Sequence, residues 1–182
     1  TITVGGETTL PLLTFEGEMP HRPVVAGLVV DVVPDTWPEV LKKAIGDEVN
    51  SPAEWAAKCV EDFKVDLVCL KLYGPDPSGP NLSAAQAAET VKKVLKAMDL
   101  PLIIWGCGDE NKDNEVLPEC SQAAKGENCL LGSATDKNYR TMAAIGKADK
   151  HKLIAEAPVD INIAKQVNIL LQDAGFDLND VV

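Results

Sequence analysis

The chain alternates short apolar runs with longer amphipathic segments. Short continuous apolar runs are typical of strands buried on both faces of a parallel sheet. Strands that alternate with helices over short connections predict right-handed βαβ crossovers. Five such runs are followed by the start of a sixth: Val24–Val30, Asp66–Leu72, Leu102–Trp105, Cys129–Leu131, Leu153–Ala155 and Asp180–Val182.

Helix-start signals separate these runs. Ser51 precedes Pro52 and Glu54, and Ser83 precedes Gln86, so both segments have the spacing of a capping box. Before the first of these helices, a loop is predicted at Pro34–Pro38, with Trp37 in it. Further helices are predicted at Asp113–Lys125, from Asp136 onward and at Ile161–Ala174.

The first residues have a different pattern. Ile2 and Val4 alternate with threonines, Gly5-Gly6 can form a tight turn, and Thr8–Leu13 can return. This pattern predicts a leading β-hairpin that could cover one end of a barrel.

The alternation fits either an open doubly wound sheet or a (β/α)8 barrel. Charged and small polar residues recur where the strands end, and the strand ends of a barrel share one mouth. We therefore predict a TIM barrel that forms a single domain over residues 1–182. These strand-end residues are Asp31, Lys71, Asp109, Ser133 and Glu156.

The predicted barrel is incomplete. A barrel needs eight strands and about 250 residues, whereas this chain has 182 residues, with about five βα units and the beginning of a sixth strand. A five-stranded arc would leave an open edge and an exposed apolar interior. We expect a C-terminal portion to be missing from this sequence, or something else to complete the barrel.

Composition and charge argue against several classes of partner. Hydrophobic residues make up 46% of the chain, enough for a sizeable core, and 28 acidic against 17 basic residues give a net charge of -11. Phosphate backbones and anionic membranes attract clustered Lys and Arg, so neither is an expected partner. The longest apolar run, Val24–Val30, is far shorter than the roughly 20 residues that span a bilayer.

Cysteine and histidine usage points away from a metal site. The five cysteines are odd in number and none form a CxxC pair, which argues against an iron–sulfur cluster, a zinc ribbon or a disulfide framework. A reducing cytoplasm is therefore the expected compartment. His21 and His151 lie far apart, and we expect both to be ordinary surface or core residues.

One glycine-rich turn partly matches a dinucleotide-binding pattern. The segment from Gly106 to Asn111, GCGDEN, shares three positions with a dinucleotide fingerprint but lacks its third glycine, and it is not expected to begin a helix at once. A tight strand-to-loop turn is the simpler interpretation. The acidic residues that follow favour a solvated helix N-terminus over a metal site; they are Asp109, Glu110, Asp113 and Glu115.

Two side chains near the predicted mouth could carry chemistry. Cys107 could act as a nucleophile, but no histidine is evidently placed to serve as its base. Lys71 closes a buried strand and could form a Schiff base, although pairing with a carboxylate such as Asp31 is commoner.

Long strings in this sequence resemble a known family. WAAKCVEDFKVDLVCLKL, at residues 55–72, and DINIAKQVNILL, at residues 160–171, resemble the small (delta) subunit of the corrinoid iron–sulfur protein of the acetyl-CoA decarbonylase/synthase system. The resemblance covers the chain from about Val4 to its end. It implies a TIM barrel whose further strands lie beyond this sequence.

The resemblance also implies a role in methyl transfer. In this family the small subunit pairs with a large (gamma) subunit that carries a [4Fe-4S] cluster and a cobamide-binding domain. The pair takes a methyl group from methyl-tetrahydropterin through a methyltransferase and passes it to acetyl-CoA synthase. We therefore expect this chain to help hold a cobamide (corrinoid), with the cluster on its partner.

The resemblance does not identify the residues that contact the corrin or a partner. Pterin-binding barrels of similar fold use Asn and Asp at strand ends, and this chain has Ser133 where Asn would be expected, which argues against pterin binding by this chain alone. The alternatives are a stand-alone pterin-dependent methyltransferase and a structural subunit of the complex. As candidate residues near the corrin or a partner we take Asp31, Lys71, Cys107, Asp109 and Ser133.

Overall fold

The computed structural model describes residues 2–10 and 12–182. Strands and helices alternate after an irregular N-terminal segment. The strands are β1 Ala26–Val30, β2 Leu67–Lys71, β3 Leu102–Trp105, β4 Leu130–Ala134 and β5 Lys152–Ala155. The helices are α1 Glu39–Ile45, α2 Pro52–Glu61, α3 Ala84–Ala97, α4 Glu110–Ala123, α5 Tyr139–Asp149 and α6 Ile161–Asp173, with short 3-10 turns at Asp47–Asn50 and Leu178–Asp180.

The five strands form one parallel sheet in the order β1-β2-β3-β4-β5. Helices α2 to α5 each pack on the next helix along the chain. A doubly wound sheet reverses its strand order at a switch point, and this sheet does not. Beyond β5, Val181 makes a parallel bridge with Leu153, and the Ala155 N–H donates to the Val182 carbonyl at 2.9 Å. The chain thus starts to add a sixth strand to the sheet.

One face of the sheet carries the core. The strand register aligns five residues, here called the helix-side row, and each is 0% exposed. Gly27 belongs to the same face, because a Cβ there would lie 3.1 Å from Cys59 Sγ on α2. Burial of apolar area against the helices therefore stabilises this face. The helix-side row is Val29, Leu70, Ile104, Leu131 and Leu153.

The opposite face is only partly covered. Side chains alternate between the two faces of a strand, so the neighbouring register row, here called the open row, points away from the helices. Leu28 is 47% exposed, and the other members are partly exposed. The prediction that the first strand is buried on both faces is therefore wrong. The open row is Leu28, Cys69, Ile103, Leu130 and Lys152.

The N-terminal hairpin prediction is also wrong. The described residues before Ala26 form no strand, and the Thr8 N–H instead donates to the Glu18 carbonyl at 3.0 Å within a loop. Pro11, inside the predicted returning strand, lies outside the described residues. Residues 2–4 nevertheless lie at the amino ends of the strands, where they line a cavity of about 320 Å³ beside Leu67 and Ile103.

A second contact ties this irregular segment to the sheet. Arg22 forms an ion pair with Asp66, and the Asp66 carboxylate also accepts a hydrogen bond from the Val25 N–H at 2.8 Å. These bonds lower the pKa of Asp66 to about 2. The start of β2 is thereby held beside the start of β1.

Two helices differ from their predictions. Helix α1, which exposes Val40 and buries Ile45, lies in the segment between the predicted loop and the helix after Ser51, where no helix is predicted. Helix α4 begins at Glu110 rather than Asp113, so the glycine-rich turn does lead directly into a helix. Pro118 lies inside α4 without ending it. Proline removes one helical hydrogen bond, but the neighbouring residues Leu117 and Cys120 are 0% exposed and hold α4 against the core.

Candidate functional site

The predicted strand-end residues lie at the carboxyl edge of the sheet or directly after it. In a parallel sheet this edge and its loops are the usual place for binding residues. Backbone hydrogen bonds join neighbouring strands at this edge, since the Asp31 N–H donates to the Lys71 carbonyl, the Leu72 N–H to the Trp105 carbonyl and the Gly106 N–H to the Gly132 carbonyl. The edge is therefore a continuous surface.

Asp31 holds two loops together. One of its carboxylate oxygens accepts hydrogen bonds from the Tyr73 N–H at 2.6 Å, the Gly74 N–H at 3.0 Å and the Val32 N–H at 2.8 Å. Burial raises the pKa of the Asp31 carboxyl, although these backbone hydrogen bonds oppose the change. Gly74 is required here, because a Cβ at this position would lie 2.6 Å from the other carboxylate oxygen.

Lys71 does not pair with Asp31. Its Nζ donates to the Gly106 carbonyl at 2.6 Å and lies 5.7 Å from the ring centroids of both Tyr73 and Trp105. Among the described residues, no ion pair with a carboxylate involves this ammonium group. The cation is therefore solvated by a carbonyl and two aromatic rings.

Cys107 is held in a protonated state. Its N–H donates to Asp113 Oδ1 at 2.8 Å, and its thiol donates to the same oxygen at 3.2 Å. Burial, together with the neighbouring charge of Asp113, raises the pKa of the Cys107 thiol to about 11. A nucleophilic cysteine requires a thiolate, so this geometry does not activate Cys107.

The acidic residues after the glycine-rich turn do not converge. Asp109 caps α4 by accepting a hydrogen bond from the Lys112 N–H at 2.8 Å, and Glu110 pairs with Lys137 at 2.9 Å. Asp113 turns inward to accept hydrogen bonds from the backbone of Cys107 and Gly108. In residues 2–10 and 12–182, no group of three His, Cys, Asp or Glu side chains could hold a metal ion.

Ser133 lies in β4 and is buried. Its carbonyl accepts a hydrogen bond from Asn138 Nδ2 at 2.9 Å, while Asn138 Oδ1 accepts one from the Thr135 N–H at 2.7 Å. Asn138 therefore shapes the loop after β4. A buried amide just before a helix was not singled out from the sequence, because one Asn in a polar loop carries no distinctive pattern.

His151 is buried directly before β5, at the amino ends of the strands. Its Nδ1 accepts from the Cys129 N–H at 3.1 Å, and its Nε2 lies 3.1 Å from the Ser121 carbonyl. Backbone groups thus occupy both ring nitrogens. Nearby, Asp149 binds Ser121 and Lys125, and these bonds hold the pKa of Asp149 below its usual value against the effect of burial.

The structure thus brings Lys71, Cys107 and Ser133 to one edge and places Asp31 and Asp109 in its supporting loops. Sequence reasoning missed Tyr73 and Trp105, the two rings beside Lys71. Each stands at the end of a predicted strand on the same face as Lys71, which was an available signal. No helix in the described chain has the length and apolarity to cross a bilayer.

The comparisons with known proteins agree with one another. The family model described as CO dehydrogenase/acetyl-CoA synthase delta subunit matches residues 1–182. Acetyl-CoA decarbonylase/synthase complex subunit delta from Archaeoglobus fulgidus is 38% identical over 92% of this chain, and that from Methanothermobacter thermautotrophicus is 34% identical over 100%. This chain spans 37% and 46% of the length of these two relatives.

The match confirms the resemblance seen in the long sequence strings. It extends over the whole sheet and every helix described above. The chain therefore belongs to the CO dehydrogenase/acetyl-CoA synthase delta subunit family.

Proposed function

We propose that this chain is part of the delta subunit of an acetyl-CoA decarbonylase/synthase complex. In that role it helps a large corrinoid subunit hold a cobamide that takes a methyl group from methyl-tetrahydropterin and delivers it to acetyl-CoA synthase. The family match over residues 1–182 is the observation that carries the proposal. The relatives are named as subunits of that complex, and the same assembly is proposed here.

The proposal includes closure of a TIM barrel. The strand order advances in one direction, Val181 begins to pair with β5, and the open row is only partly covered. The relatives are more than twice as long as the matched region. We propose that the rest of the full-length protein supplies the remaining strands, so that the open row becomes the barrel interior.

The residues at the carboxyl edge fit the edge of a corrin better than its metal. A corrin ring is surrounded by amide groups, which accept hydrogen bonds from ammonium and backbone N–H donors. Lys71 can donate such bonds, whereas both ring nitrogens of His151 are already occupied by backbone groups. The bound cobamide would supply a nucleophilic metal centre that carries the methyl group.

In this proposal the chain's own residues bind and orient. Asp31 and Asp113 fix the loops after β1, β2 and β3 through backbone hydrogen bonds. A rigid loop arrangement lowers the cost of positioning a ligand. We propose Asp31, Lys71, Cys107, Asp109 and Ser133 as the part of the mouth that faces the cobamide or the large subunit, with the [4Fe-4S] cluster on that partner.

Anaerobic purification of the tagged full-length protein from its native host tests this function. We expect a cobamide spectrum and a co-purifying subunit with an iron–sulfur cluster. The purified pair should take a methyl group from methyl-tetrahydropterin. A colourless, solitary protein that binds methyl-tetrahydropterin would instead indicate a stand-alone methyltransferase. A complex whose methyl transfer survives replacement of Lys71 and the other mouth residues would indicate a structural subunit.

A further inference from the structure

The ammonium group of Lys71 is the most unusual charged group on the open face. In a chain with net charge -11, it is a half-buried cation without a carboxylate partner among the described residues. One of its three N–H donors reaches the Gly106 carbonyl at 2.6 Å. The other two donors remain available to a ligand.

Two aromatic rings flank this group. Tyr73 and Trp105 each place a ring centroid 5.7 Å from Lys71 Nζ. In the sheet, Trp105 is the register neighbour of both Lys71 and Gly132. A Cβ at Gly132 would lie 3.4 Å from Trp105 Cδ2, so glycine lets the indole lie close against β4. The indole is partly exposed and can serve as a flat apolar surface.

We infer that Lys71, Tyr73 and Trp105 form a binding subsite for a flat conjugated ring that carries a carbonyl oxygen at its edge. The indole and phenol rings would contact the face of the ligand, and the Lys71 ammonium would donate to its oxygen. Aromatic rings stack on flat ligands, and a charged donor strengthens the hydrogen bond to a carbonyl.

This inference rests on the proposed function, which supplies two sources of the same chemistry. The pyrimidinone ring of a tetrahydropterin is flat and carries an oxo group, and a corrin is a larger conjugated ring bordered by amide carbonyls. Both present a ring face together with an acceptor oxygen. The experiment must therefore measure the two ligands separately.

The test uses the full-length protein in complex with its large subunit. Two variants remove the two halves of the subsite: Trp105→Leu removes the flat surface, and Lys71→Met removes the charge but keeps an apolar stem. Lys92→Met is the matched control, because Lys92 is exposed on α3, away from the mouth. Equilibrium dialysis measures the Kd of 5-methyltetrahydropterin, and visible absorbance after dialysis measures retained hydroxocobalamin.

We expect Trp105→Leu and Lys71→Met each to weaken one of the two ligands about tenfold or more, and Lys92→Met to weaken neither. Trp105→Phe should recover part of the loss, because it keeps a ring. Loss of pterin affinity alone identifies the methyl donor as the ligand, and loss of cobalamin retention alone identifies the corrin edge.

Unchanged binding of both ligands in the two variants would overturn the inference while leaving the proposed function intact. A wild-type complex that binds neither ligand would overturn the proposed function as well. Thermal unfolding of each variant separates loss of binding from loss of folding. If Lys71→Met unfolds because it loses its bond to Gly106, Trp105→Leu still decides the outcome.

Discussion

The two faces of the sheet carry the same kind of residue in different surroundings. In the helix-side row, Ile104 is 0% exposed, as are its four neighbours. One residue earlier in the same strand, Ile103 points the other way and is partly exposed in the open row. An apolar side chain stabilises the fold only to the extent that its surface is removed from water. The helix-side row is therefore part of a packed core, whereas the open row is only partly covered.

The two faces also differ in their chemistry. On the helix side, the carboxylates of Asp31, directly after β1, and Asp113, on α4, accept hydrogen bonds from backbone amides. The open side ends in Lys71 and two aromatic rings. Groups that already have partners position the loops, whereas groups with spare donors can meet a ligand. Function is therefore expected on the open side.

We expect the strongest loss of stability when an isoleucine on the packed face of β3 is shortened. In the 182-residue chain, Ile104→Ala should lower the free energy of unfolding by about 2–5 kcal/mol, because it leaves a cavity in a packed core. Ile103→Ala should lower it by less than about 1.5 kcal/mol, because the side chain is already partly in water. Urea denaturation followed by circular dichroism measures both.

The same pair of variants tests barrel closure in the full-length protein. If the remaining strands cover the open row, the two substitutions should cost within about 1 kcal/mol of each other, because both side chains then lie in packed cores. A full-length protein in which Ile103→Ala stays nearly neutral would contradict closure.

A smaller effect is expected at the turn that connects β3 to α4. A Cβ at Gly106 would collide with the Asp113 carboxylate, so Gly106→Ala should destabilise the protein by about 1–3 kcal/mol. Gly79→Ala is the control, because the nearest atom to its Cβ would be 3.7 Å away. The midpoint of urea unfolding compares the two. Equal midpoints would show that the Asp113 contact is dispensable.

The smallest effect concerns the rates at which the cysteines are alkylated, and it leaves the fold unchanged. Burial raises the pKa of Cys69 and Cys107 to about 11 and that of Cys120 and Cys129 to about 12. At pH 8 a thiol with a pKa of 11 is about 100-fold less ionised than one with a pKa of 9, so alkylation should be slow and should accelerate as the pH rises.

The thiol measurement also distinguishes the two sides of the molecule. Cys107 and the open-row Cys69 are partly exposed, whereas Cys120 and Cys129 are buried. Iodoacetamide should therefore modify Cys69 and Cys107 slowly in the folded chain and Cys120 and Cys129 only after unfolding. Mass spectrometry of the alkylated peptides gives the four rates. Fast modification of Cys107 at pH 7 would contradict the assignment of a protonated thiol.

Much of the fold could be predicted because each strand and most helices carry a local signal. The capping residues Ser51 and Ser83 begin α2 and α3 as expected, and in α3 Gln86 completes the box. The hairpin failed because alternation and glycines create a local preference but no partner strand is available to stabilise it. Helix α1 was missed because only Ile45 on it is buried, so its apolar pattern is weak.

The site was harder to predict than the fold. The expectation that strand ends share one edge placed Lys71 and Ser133 together. It could not show that the Lys71 ammonium contacts Gly106, Tyr73 and Trp105 instead of Asp31. A strand pattern states which face a residue occupies. It does not state which of several polar neighbours its side chain will reach.

Local patterns and long matching strings were enough to predict the alternation of strands and helices, the apolar character of the strands and the family. They could not predict that one face of the sheet is packed and the other only partly covered, that Asp31 and Asp113 accept hydrogen bonds from backbone amides, or that Lys71 lies near two rings. The physical reason is that burial and hydrogen-bond partners depend on residues from different strands, and their distances are set by packing of the whole sheet against its helices.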